Sequence, residues 1–161
     1  MKMNTKLSLV DILLSKFGLM KIRYTADSFK SHAELVADFN YVVLDIEFEP
    51  EIGLPSSSSM ELSMAQLLEE LEELDDAVKR NDVVDAADAL IDGIYFAYGV
   101  MYKMGISPDK IDAIFRTVHK ANTSKMIGIK DGREGFNAVD AVKPDGWTPP
   151  EDAIRGILWE K

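Results

Sequence analysis

The chain has 161 residues, with 18 basic and 28 acidic side chains, a net charge of −10, two histidines and no cysteine. Without cysteine there is no disulfide, zinc–thiolate site or thiol nucleophile. The acidity disfavours nucleic acid or an anionic membrane as partner, but it is compatible with an anionic small molecule if a cation mediates.

The length predicts one domain over 1–161, with residues 1–30 as an N-terminal extension and 126–161 as a tail. Leu7, Val10, Leu13, Leu14 and Phe17 predict a short first helix ending at Gly18, and residues 22–25 are ambiguous. No cleavage site follows the N-terminal segment, and a cytoplasmic location is the expectation. From about Ser28 to Phe48, Leu35, Val36, Phe39, Val42, Val43 and Ile46 recur at helical spacing. Pro50, Gly53, Pro55 and four serines then predict a loop over about 49–60.

A third helix is predicted from about Met60 or Met64 to Arg80, with Ser63 as its N-cap. A fourth spans about Asp82 to Met104, capped by Asn81 or Asp82, with Gly105 just past its end. Its longest uncharged run, Ile94 to Tyr102, is far too short for the ~20 apolar residues that cross a bilayer. Ser107-Pro108-Asp109 opens a fifth helix to about Asn122: serine caps, proline takes the first position and aspartate meets the dipole. Residues 126–150 read as an ordered but irregular tail, and Pro149-Pro150-Glu151 opens a short last helix through Trp159. Five to six helices without a clear strand run give an all-α bundle.

Eleven acids, but only Lys79 and Arg80 as bases, lie between Met60 and Asp92. On the third helix Leu67, Leu71, Leu74 and Val78 form an apolar stripe, and Glu70 falls roughly 60° from its centre, with Glu73 one step further. Glu72 and Asp76 point to solvent. The fourth helix is apolar around most of its circumference, which predicts a central, buried position. Yet Asp85, Asp88 and Asp92 fall within roughly 60° of one another on it, and Gly99 continues their line. Carboxylates gathered beside a core repel one another and resist desolvation, so they need a counter-charge that these helices scarcely supply. Oxygen donors alone favour magnesium, with manganese as a substitute. The residues by themselves leave two readings open: a metal site, or a merely acidic groove of a non-catalytic helical interaction module.

Glu69-Glu70-Leu71-Glu72-Glu73 has the form E-E-x-x-E, followed about twenty residues later by Ala87-Asp88-Ala89-Leu90-Ile91-Asp92. Val118-His119-Lys120-Ala121-Asn122-Thr123-Ser124-Lys125 and Lys143-Pro144-Asp145-Gly146-Trp147 with Pro149-Pro150 complete an ordered set. Together, over about residues 35–150, these resemble the MazG-like all-α nucleoside triphosphate pyrophosphohydrolases, a group that includes phosphoribosyl-ATP pyrophosphohydrolases. The resemblance implies hydrolysis of a nucleoside triphosphate between its α- and β-phosphates, with phosphoribosyl-ATP as the alternative substrate. It also implies metal binding by Glu70, Glu73, Asp88 and Asp92, with Glu69 and Glu70 catalytic and Glu69 orienting or deprotonating the water. Asn122, Lys125 and Lys143 would bind substrate. The broad pattern has E-x-x-D on the second acidic helix. Here Ala89 stands where the glutamate would be, so Asp88 or Asp85 completes the set.

A homodimer or homotetramer is expected, because helices this apolar need more surface to bury against. His119, Arg116 and Arg133 read as ordinary structural or surface groups. Trp147 and Phe136 read as anchors for the tail, Phe39 and Tyr41 as core, and Met101, Met104 and Met126 as core fillers. No G-x-x-x-x-G-K-[ST], G-x-G-x-x-G or H-E-x-x-H motif occurs.

Overall fold

The computed structural model describes residues 30–129 and 139–159. The helix predicted to end at Gly18, the segment 22–25, Arg133 and Phe136 lie outside these residues. The described chain is mostly helical: α1 (His32–Val42), α2 (Ser57–Arg80), α3 (Val83–Lys103), α4 (Pro108–Thr123), strands β1 (Met126–Ile129) and β2 (Val139–Val142), and α5 (Glu151–Trp159). The all-α expectation holds. No described helix is long and apolar enough to cross a membrane.

A capping box starts α1: the Ser31 Oγ accepts from the Glu34 N–H at 3.3 Å, and the Ser31 N–H donates to Glu34 Oε2 at 2.7 Å. The helix stops at Val42, six residues short of the expected Phe48. Val43 and Leu44 both donate to the Phe39 carbonyl, and Asp45 turns the chain with φ of 60°. Residues 46–53 then run as a strap against the end of α3. There the Tyr102 hydroxyl donates to the Ile46 carbonyl at 3.1 Å, and the Gly53 N–H donates to the Met104 carbonyl at 3.1 Å. These contacts distant in sequence outcompete the helical period of Val43 and Ile46.

The expected start of the third helix also moves. Ser56, not Ser63, caps α2, accepting from the Ser59 N–H at 3.3 Å, and the serine run forms the first turn. Ser63 lies mid-helix and buried against α3. Asn81 in the left-handed conformation (φ 54°) and Asp82, whose carboxylate accepts from Val84 and Asp85 N–H groups, turn the chain into α3. So short a connection makes α2 and α3 an antiparallel hairpin, the most extensive helix pairing in the described chain. Buried Ser63, Glu70 and Ala77 recur every seven residues along its α2 side, facing Ala89 and Gly93 on α3.

Contrary to expectation, α3 is not buried all round. Its outer face exposes Val83, Val84, Leu90, Ile91 and Ile94, and α2 exposes Leu62, Leu68, Leu71 and Val78 beside them. A two-helix hairpin has an inside for one face of each helix only. The buried core lies instead where Ala33 of α1, Ile106 of the turn after α3 and Ile111 of α4 meet, with Tyr98, Met101, Met104, Ile114 and Leu158 packed around them. Gly105 (φ 75°) is needed just past α3, because a Cβ there would lie 2.4 Å from the Glu51 carbonyl oxygen of the strap.

The predicted irregular tail contains an antiparallel strand pair, Met126 opposite Val142 and Ile129 opposite Val139. Its alternation was too short to read against Gly128, whose missing side chain lets Val142 approach. Met126 is exposed rather than a core filler, and Tyr41 is exposed rather than core. α5 closes the chain as expected, tied to α4 by the Lys110 Nζ, which donates to the Leu158 carbonyl at 2.7 Å.

Candidate active site

Glu70 is the centre of the acidic hairpin. It lies on the α2 line that faces α3, 8 % exposed, opposite Gly93. The hydrophobic stripe had set it on the flank, because α2 has two apolar edges and the exposed one pulled the average away. Its Oε2 is buried without a hydrogen-bond partner. Burial raises the Glu70 pKa above the ordinary 4.5, and the charges of Glu73, Asp92, Glu69 and Asp88 raise it further. Those four carboxylates are exposed around it.

The nearby bases are committed elsewhere. Lys79 pairs with Asp75 at 2.5 Å and Asp76 at 3.1 Å, and Arg80 pairs with Asp85 at 2.7 Å. Glu73, Asp76, Arg80, Asp85 and Asp88 line a polar cavity of about 390 Å³. Among the described residues, no three histidine, aspartate or glutamate side chains converge closely enough to hold a metal ion. The donor chemistry nevertheless suits a hard cation: oxygen atoms only, one of them buried and unpartnered.

Asp38 was not singled out in the sequence. It pairs with Lys30 at 2.5 Å. Burial raises the Tyr95 pKa, and the charges of Asp38 and Asp92 raise it further. The helical wheel of α1 gives no sign of this, because the neighbours belong to α3. Phe39 packs edge-on to Tyr95, with ring centroids 5.4 Å apart, and Gly99 admits the buried Asn40 amide, 3.6 Å from where a Cβ would stand. The space left beside them is only about 40 Å³, too little for a nucleobase.

The other predicted residues gather at the far end of α4. Lys125 Nζ donates to Asn122 Oδ1 at 2.7 Å. Lys143 Nζ lies 4.5 Å, and Lys125 Nζ 5.7 Å, from the centre of the Trp147 ring. The Trp147 indole N–H donates to the Ala121 carbonyl at 2.9 Å, so Trp147 does anchor the tail. The acids thus sit on the α2–α3 hairpin and the bases on α4 and the following tail. His119 and Arg116 are exposed, lining a different cavity with His32 and Phe115.

An acid-rich helical hairpin of this kind suits a hard cation and, through it, an anionic substrate. Residues 47–122 match the family model of phosphoribosyl-ATP pyrophosphohydrolase. The match covers just under half of the chain and is to a family within the MazG-like NTP pyrophosphohydrolase superfamily. The family's activity is that of a hydrolase acting on acid anhydrides, and it is typically metal-dependent. No curated protein matches the chain.

Proposed function

We propose that the protein is a magnesium-dependent, cytoplasmic enzyme that hydrolyses a nucleoside triphosphate between the α- and β-phosphates, giving the monophosphate and pyrophosphate. The observation that carries this reading is the buried, unpartnered Glu70 oxygen amid four further carboxylates, within a pyrophosphohydrolase domain. Glu70, Glu73, Asp88 and Asp92 would hold the metal. Asp88 is favoured over Asp85 because Arg80 already engages Asp85. Bound magnesium, or manganese in its place, would neutralise the triphosphate and its developing charge. Glu69, exposed beside Glu70, orients the attacking water and takes its proton. Asn122, Lys125 and Lys143 hold phosphate oxygens, lysine acting as a compact point charge.

The active form in this proposal is a homodimer or a tetramer of dimers, joined through the exposed apolar face of the hairpin. Leucine, isoleucine and valine side chains more than half exposed on adjacent helices are the usual mark of an interface. The name of the matched family favours phosphoribosyl-ATP as the second substrate reading. Both substrates undergo the same anhydride cleavage. A panel of canonical and modified triphosphates together with phosphoribosyl-ATP, assayed with magnesium for pyrophosphate against orthophosphate, separates them. Orthophosphate as the product, or no turnover of any nucleotide, would refute the proposal.

A further inference from the structure

In a chain with 28 acidic side chains, two lysines meet on one aromatic ring. Among the described residues neither Lys125 nor Lys143 makes an ion pair, and both ammonium groups lie within 6 Å of the centre of the Trp147 ring. Like charges repel, so such a pair persists where something holds it. The negative face of an indole ring does so, and an anion placed between the charges would complete the neutralisation. The ring is fixed from two sides. Its N–H is bonded to the Ala121 carbonyl in the last turn of α4. Its backbone N–H donates to the Pro144 carbonyl at 3.0 Å across a turn that Gly146 permits with φ of 74°. Lys143 directly precedes that turn, and Lys125 follows the helix to which the ring is bonded.

We propose that Trp147 is a positioning residue: it holds the Lys125 and Lys143 ammonium groups together as a receptor for the polyphosphate chain of the substrate. This rests on the assignment of those lysines to phosphate binding made above, and extends it to a residue that touches no substrate. Asn122 takes part by accepting from Lys125, which leaves that ammonium two further hydrogens for phosphate oxygens.

The test compares Trp147→Phe, which keeps a ring face but loses the N–H, with Trp147→Leu, which keeps apolar bulk and loses both. In steady-state assays with a nucleoside triphosphate and magnesium, the leucine variant should raise KM by about tenfold and leave kcat nearly unchanged. The phenylalanine variant should recover most of that loss. Adding Lys143→Met to Trp147→Leu should cost less than the product of the two single losses, because both act through the same Lys143 ammonium. The metal-induced rise in melting temperature should be the same in every variant, since the hairpin acids are untouched. Unchanged KM in the leucine variant, equal loss in the leucine and phenylalanine variants, or fully multiplicative effects with Lys143→Met would overturn the proposal.

Direct binding of tripolyphosphate by calorimetry supplies a readout without turnover. If the protein hydrolysed no nucleotide, the functional reading above would fail. Weaker tripolyphosphate binding in both Lys143→Met and Trp147→Leu would still uphold the role of Trp147. No binding by the unaltered protein would overturn it. If Trp147→Leu fails to fold, as judged by lost helical circular dichroism, Trp147→Phe decides: native-like tripolyphosphate affinity supports the ring as the holder, and affinity as low as that of Lys143→Met overturns it.

Discussion

Glu70→Gln separates the cost of a buried carboxylate from the use of one. In the metal-free protein the substitution removes a charge that is 8 % exposed, with one oxygen lacking a partner. Leaving a buried polar atom unsatisfied costs on the order of 1–3 kcal/mol. The hairpin is only two helices thick, and glutamine retains a polar amide at the same place, so the lower end applies. A gain of about 1 kcal/mol is expected, or roughly 2–4 °C in melting temperature for a chain of this size. The pH dependence has a definite sign. The folded-state pKa of Glu70 is raised above 4.5, first by burial and then by Glu73, Asp92, Glu69 and Asp88. Below the unfolded-state value both states are protonated and the native residue carries no penalty. As pH rises towards and through the folded-state pKa, that stability is lost, and the advantage of glutamine opens to a plateau.

Saturating magnesium should reverse the order. A ligand at a hundred times its dissociation constant stabilises by about 2.7 kcal/mol, and the variant forfeits most of this. Thermal melts of both proteins between pH 4 and 8, with and without magnesium, are the assay. A metal-free variant that melts below the unaltered protein at neutral pH refutes the burial argument. An undiminished magnesium response refutes the assignment of Glu70 to the metal.

Three further outcomes are expected. Glu73→Gln and Asp92→Asn should each lower pyrophosphate release by at least about a hundredfold while helical circular dichroism stays native, as removal of a ligand or a charge-stabilising group does; full turnover in either would remove that residue from the site. Leu68→Lys combined with Ile91→Lys, both on the exposed hairpin face, should yield a monomer in sedimentation experiments, because a buried unpaired charge is costly at an interface; an unchanged oligomer places the contact elsewhere. Gly105→Ala should destabilise by about 2 kcal/mol or more in denaturant titrations, since a left-handed φ disfavours a Cβ and this one would meet the Glu51 carbonyl oxygen; a neutral result would show that the strap yields without cost.

The ends of α3 and the start of α4 were legible in the sequence because their signals are local: Asp82 caps, Gly105 takes a positive φ, and Pro108 occupies a first turn. The end of α1 was not, because Val43 and Ile46 continue its period while the decision to stop belongs to Tyr102 and Met104, more than fifty residues away. Ser56 and Ser63 are the same residue type, and only the extent of packing on α3 selects the first as cap. The acidic motif was legible for the same reason as the caps, being written in two short stretches. The burial of Glu70 was hidden, because α2 presents leucines on a second face that stays exposed among the described residues. A helix whose inner line carries a carboxylate and whose outer line carries leucines is costly twice over in a lone, metal-free hairpin: the carboxylate is desolvated without a counter-charge, and the leucines are hydrated without a partner. Averaging the two lines into one stripe, as a helical wheel does, hides both costs. Separated, they set opposite demands on the two sides of α2, a counter-charge for the carboxylate towards α3 and cover for the leucines away from it.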